Sequence, residues 1–195
     1  MLKIKVDFDS IRRKGLKKNK EDFQVVLICG YMGSGKNYYA FYEADKIKRK
    51  VLTNVKSYHH EDFEVDYFTR LSDIYNNYEK DLLVIVDECS KKFPKDFKLD
   101  KDFYAWLQHS RKCNRYVFLI FQEYLNVPTW LRGVANRVYA TRKIPLLRLN
   151  LTTFGIPVLD SETKEWLLQE LSILIYKRNK KIGDSYDTYE IISEL

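Results

Sequence analysis

Apolar positions along this chain gather in short unbroken runs. QVVLIC at 24–29, VLTNV at 51–55, LLVIV at 82–86 and YVFLIF at 116–121 place β-branched and aromatic residues in succession, and RVYAT at 137–141 is a weaker fifth run. Unbroken runs of this length are how strands covered on both faces appear in sequence. Helical stretches separate most of them, beginning with NYYAFYEADKIKRK after the first. The alternation predicts an α/β domain with a largely parallel sheet flanked by helices, in which ligands bind beyond the carboxyl ends of the strands.

The pattern changes at both ends. Residues 1–20 are dense in Lys and Arg, with only Asp7 and Asp9 against them, and read as a basic arm ahead of the folded domain. After Arg142, RLNLTTFGIPVL is interrupted by Gly155 and Pro157 and reads as a hairpin or irregular extension. Asp160 and Ser161 then offer an N-cap for a helix over about 162–178, with Leu167, Leu168, Leu171, Leu174 and Ile175 on one face. That stripe is expected to pack on the core, the alternative being a neighbouring subunit. The organisation expected is an arm at 1–22, a core at 23–143 and an extension of hairpin plus helix at 144–195.

The chemistry sits at the ends of the apolar runs. Gly30-Tyr31-Met32-Gly33-Ser34-Gly35-Lys36 satisfies G-x-x-x-x-G-K after a strand and before a helix, the Walker A context. Gly30, Gly33 and Gly35 permit backbone angles and close approach that let N–H groups converge on phosphate oxygens. The following helix adds its positive end, and Lys36 brings charge to the β and γ phosphates. The nucleotide-binding stretch thus runs from Gly30 through Asn37 to Tyr38. Asn37 departs from the motif, standing where Ser or Thr places a hydroxyl on Mg²⁺; an amide oxygen can also contact the ion, with different reach.

LLVIV leads into Asp87 and Glu88. Asp87 is expected to hold Mg²⁺ through its water shell, and Glu88 to act as general base on the water attacking ATP. Gln122, closing the YVFLIF run, is a candidate to sit beside the γ phosphate. Arg111 and Arg115, in the basic turn SRKCNR, are candidates for a finger acting in trans or a DNA phosphate contact, with Arg132 and Arg137 as weaker ones.

Composition adds a net charge of +7, which favours polyanionic partners, nucleic acid first. The three cysteines, Cys29, Cys89 and Cys113, have no CxxC spacing, and His59, His60 and His109 make no zinc pattern. No metal site independent of nucleotide is expected. There is no signal peptide and no apolar stretch of membrane-spanning length, so a cytoplasmic protein is expected.

GYMGSGKNYYA, VLTNV, LLVIVDECSKKFP and QHSRKCNRYVFLIFQ together resemble the zonula occludens toxin-like (Zot) ATPases of phages, and more broadly the FtsK/HerA-type packaging and assembly ATPases of viruses. The likeness covers roughly residues 23–143 and includes Phe93 and Pro94 after the acids. It implies a P-loop NTPase with a RecA-like, additional-strand catalytic-glutamate core, ATP and Mg²⁺ as ligands, and assembly into a homo-oligomeric ring. It further implies work on double-stranded viral DNA, with capsid or portal proteins as partners, in host cytoplasm or on the virion. The absence of the downstream membrane segment of filamentous-phage members favours a soluble packaging motor. Two other readings stay open: a nucleotide-dependent switch or assembly factor with weak turnover, motivated by Asn37, and a small-molecule kinase, which would want an Arg-rich lid.

Overall fold

The computed structural model describes residues 3–6, 24–144 and 149–187. Among them one nine-stranded sheet runs in the order β1-β9-β8-β7-β2-β6-β5-β3-β4. The strands are β1 (Lys3–Val6), β2 (Gln24–Cys29), β3 (Val51–Thr53), β4 (Val65–Tyr67), β5 (Leu83–Val86), β6 (Tyr116–Phe121), β7 (Arg137–Ile144), β8 (Leu149–Leu159) and β9 (Trp166–Lys177). From β4 across to β7 every pairing is parallel; β7, β8 and β9 then form an antiparallel meander.

The central strands are buried on both faces because the sheet is clothed on both. Val25, Leu27, Val84, Val86, Val117 and Leu119 face a layer made by α2 (Leu71–Tyr75), α3 (Cys89–Lys92), α4 (Lys101–Ser110) and α5 (Thr129–Val134). Val26, Ile28, Leu83, Ile85, Phe118 and Ile120 face α1 (Lys36–Ile47) and α6 (Lys180–Asp184). Aromatic rings fill both interfaces: Phe93 stacks on Phe103, which stacks on Trp106, while Tyr176 stacks on Tyr42 and Tyr38 of α1. Helix α4 starts where it does because the Asp100 carboxylate accepts the backbone N–H groups of Asp102 and Phe103.

The four strongest predicted strands and the helix after the glycines form, within a few residues of their expected ends. The segment beyond Arg142 differs. No helix spans 162–178; β9 occupies Trp166–Lys177 instead. The leucine spacing misleads because β9 carries a bulge: Phe154 pairs with Ser172 but Gly155 pairs with Glu170, so Leu171 is an extra residue. Alternation changes phase there. Leu174 packs into the α1 layer and Leu168 into the α5 layer, although both are even-numbered positions of one strand. A period-2 pattern interrupted by one residue imitates the 3-and-4 spacing of a helix. The expected N-cap, Asp160, closes the hairpin turn by accepting the N–H groups of Glu162 and Thr163.

The basic arm also differs in part, since Lys3–Val6 pairs in parallel with β9 between Ser172 and Ile175. Residues 7–23, which hold most of its charge, lie outside the described residues. Among the described residues no helix is long and apolar enough to cross a membrane.

Gly155 sits where β8 meets the bulge, and a Cβ there would lie 2.7 Å from the Gln169 carbonyl oxygen and from Leu168 Cδ1. Gly155→Ala is therefore expected to cost about 1–3 kcal/mol, read as a lowered midpoint in thermal or urea denaturation.

Candidate functional site

Parallel pairing of β2, β6, β5 and β3 brings their carboxyl ends to one edge of the sheet, so the residues that follow them become neighbours. These are Gly30, Gln122, Asp87 and Asn54. The Gly30 N–H donates to the Gln122 carbonyl at 3.0 Å, which ties the loop after β2 to the end of β6.

The loop is shaped by its glycines. Gly33 and Gly35 hold φ of 73° and 93°, left-handed values that a Cβ makes costly, and Gly35 is the N-cap of α1. Gly30 is needed for closeness: a Cβ there would meet Ser34 Oγ at 2.4 Å and the Thr141 carbonyl at 2.7 Å. Ser34 Oγ bonds Thr141 Oγ1 at 2.9 Å, and Thr141 Oγ1 donates to the Cys29 carbonyl at 3.3 Å, so β7 buttresses the loop from beneath. The first N–H groups of a helix have no partner within it, and here they open onto this loop. Tyr31 and Met32 point to solvent, 71% and 89% exposed, and offer the site only their backbone. The Tyr38 side chain is turned away from the loop, its ring in the aromatic layer and its hydroxyl accepting the Asn179 N–H.

Lys36 Nζ donates to the carbonyls of Gly30 at 2.8 Å and Tyr31 at 3.2 Å. Partial burial lowers its pKa, while Asp87 and Glu88 work against that shift. Asn37 Nδ2 donates to Asp87 Oδ2 at 2.6 Å, so the two residues expected to share a metal are already in contact. Asp87 Oδ1 accepts the Glu88 N–H at 2.7 Å. Burial pushes the Asp87 carboxyl up from its ordinary value, and these two donors oppose the shift.

Asn54, unremarked in the sequence, holds this carboxylate in place. Its Oδ1 accepts the Asp87 N–H at 2.8 Å and its Nδ2 donates to the Asp87 carbonyl at 3.0 Å. The available signal was an amide directly after a strand in a parallel sheet. Glu88 adopts φ 58°, ψ 31°, unusual for a non-glycine, and its side chain is half-buried with Lys91 Nζ 3.5 Å away. Strain of this kind costs about 1–3 kcal/mol and concentrates at functional sites. Gln122 is exposed beside the loop, its N–H bonded to Ser90 Oγ at 3.2 Å.

The arginines are not brought here. Arg115 precedes β6, at the opposite edge of the sheet, and is 1% exposed, with Nε and Nη2 donating to the carbonyls of Glu79 and Asn77. Its guanidinium is a structural tie and cannot reach outward. Arg132 is likewise buried, bonded to the carbonyls of Val127 and Trp166. Arg137 packs over the Phe154 ring. Arg111 alone of the turn pair is exposed, at the end of α4 and away from the loop.

Cys29 and Cys89 are buried free thiols; burial pushes Cys29 up to about 12. Asp45, His60 and Asp62 gather within 4.8 Å near α1, a grouping the sequence spacing did not reveal. His60 Nε2 meets Asp45 and its Nδ1 accepts the Asp62 N–H, while Lys48 pairs with Asp62, so these groups satisfy one another.

The sequence profile of the Zonular occludens toxin (Zot) family matches residues 52–165, which contain Asn54, Asp87, Glu88 and Gln122 but begin beyond the glycine loop. No curated protein matches in sequence. The N-terminal domain of zonular occludens toxin from Neisseria meningitidis superposes with a TM-score of 0.58 at 20% identity, over 84% of this chain and 98% of that one. The genome packaging NTPase B204 of Sulfolobus turreted icosahedral virus 2, in complex with ATP-gammaS, gives 0.51 at 12% identity, over 77% and 98%. RadB recombinase gives 0.52 at 13%, over 81% and 88%. The fold is that of P-loop NTPases with a RecA-like core.

Removing the Asn54 amide leaves the buried N–H and carbonyl of Asp87 without partners. Asn54→Ala is expected to destabilise the protein by about 2–4 kcal/mol, measured by chemical denaturation.

Proposed function

The chain belongs to the zonular occludens toxin (Zot) family, and from that premise we propose that it is an ATP-hydrolysing P-loop motor that packages or translocates viral DNA during virion assembly. The observation that carries the reading is the convergence of Lys36, Asn37, Asp87, Glu88 and Gln122 at one strand-end edge. ATP phosphates lie against the loop at 30–38 and the unpaired backbone N–H groups that open onto it, and Lys36 exchanges its loop carbonyls for the β and γ oxygens. Glu88 takes the proton of the attacking water, and Gln122 orients that water from the neighbouring strand end.

The residues present fit Mg²⁺. Asp87 keeps lone pairs beyond the two hydrogen bonds it accepts, and Asn37 keeps its Oδ1, giving the oxygen donors this ion requires. Bound there, Mg²⁺ would neutralise charge on the β and γ phosphates.

For the polymer substrate, support comes from the net charge of +7 and from the likeness in fold to a protein described as a genome packaging NTPase. The active form is a homo-oligomeric ring acting on double-stranded DNA in the host cytoplasm, docked on capsid or portal proteins. Arg111 remains available to a neighbouring subunit or to DNA phosphate.

Steady-state ATPase measured with Mg²⁺, with and without double-stranded DNA, tests this. Wild type should hydrolyse ATP, gain rate with DNA and lose that gain as salt rises. Glu88→Gln should reduce turnover about a hundredfold or more while still binding nucleotide. An unchanged rate in that variant would remove Glu88 from the chemistry.

A second reading, a slow nucleotide switch in assembly, is favoured by the Asn37–Asp87 bond, which occupies the metal carboxylate with an amide donor. Asn37→Ser separates the two. A severalfold rise in kcat supports the switch, and a change within about twofold supports the motor.

A further inference from the structure

Asn150 lies in β8, between Lys143 of β7 and Tyr176 of β9, and is 2% exposed. Both polar atoms of its amide are buried without a hydrogen-bond partner, the only described side chain with two such atoms. Unpartnered buried amides are rare because water is lost and nothing replaces it. The position of this one is informative. Two residues on, Thr152 meets the Tyr176 hydroxyl beneath α1, so Asn150 shares the face that supports that helix. Among the described residues other than Gly35 and its two chain neighbours, the only atom within 4 Å of where a Cβ on Gly35 would stand is Asn150 Oδ1, at 3.7 Å. Gly35 is the N-cap of the twelve-residue α1, the turn that presents N–H groups to phosphate.

We propose that Asn150 is a positioning residue of the nucleotide site, whose amide N–H group donates a hydrogen bond to a carbonyl of the Gly35–Lys36 turn when the loop tightens on phosphate and the N–H groups of that turn face the ligand. The proposal rests on the nucleotide reading above. Lys36 is bonded to the carbonyls of Gly30 and Tyr31, and must leave them to reach a phosphate. That change reorders the turn directly above Asn150. The amide is thus unpartnered while Lys36 holds the loop carbonyls and partnered once it leaves them, a difference that draws the equilibrium toward the tightened loop.

The opposite signs provide the test. ATPγS affinity with Mg²⁺ and the thermal midpoint without nucleotide are measured for wild type, Asn150→Leu and Asn150→Ala. Leu removes the unpartnered atoms while filling the space, so its ligand-free midpoint should rise by roughly 2–6 °C. Its ATPγS affinity should fall about tenfold. Ala should lose affinity similarly even though the smaller side chain lowers its midpoint, so affinity does not follow stability. Wild-type affinity in both variants, or affinity that falls only where the midpoint falls, overturns the proposal. Failure of the wild type itself to bind ATPγS overturns the nucleotide reading and this proposal with it.

Discussion

The parallel register of β2 on β6 is the constraint from which the site follows. Six consecutive pairs, from Gln24 with Tyr116 to Cys29 with Phe121, set both strands to end at the same level. Gly30 therefore meets Gln122 through the first backbone bond beyond the sheet. The same level is passed to β5 through its pairing with β6, which delivers Asp87 to Asn37. A slip of one residue would turn every buried side chain of β2 to the other face and carry the loop out of reach of the carboxylates. Both faces are packed, so the slip is heavily penalised and the chemistry inherits the rigidity of the core.

Electrostatically the site is a compact set of opposed demands. Burial disfavours charge on Lys36 and on Asp87, and each moderates the shift of the other. Asn37 adds a neutral donor to the carboxylate, where the motif places a hydroxyl. An amide and a hydroxyl differ less in polarity than in what they demand of their neighbours: the amide brings two N–H groups to satisfy, and Asp87 satisfies one of them.

Much of the centre was legible in the sequence because its information is local. Strands such as LVIV announce themselves by unbroken β-branched runs, and the glycine loop and the acids lie directly at their ends. What was missed depends on partners far along the chain. Asn54 and Asn150 acquire meaning only from the strands beside them. Arg115 and Arg132 read as exposed cations, whereas backbone carbonyls claim their guanidinium groups in the fold. The β9 segment was misread because a single bulged residue changed the phase of its alternation, and a mixture of phases resembles helical spacing. The short β4, three residues long, gave no periodic signal at all.

The bulge also has a mechanical side. Since Leu168 is anchored in one helical layer and Leu174 in the other, the β8–β9 hairpin passes through the sheet's two interfaces as a rivet passes through two plates. It cannot rock as a free flap, because any twist along its length loads both layers at once. A pull on its tip is delivered through Tyr176 to the aromatic rings of α1, the helix that follows the glycine loop. The hairpin is thereby linked through packed side chains to the strand-end edge where Lys36 and Asp87 meet.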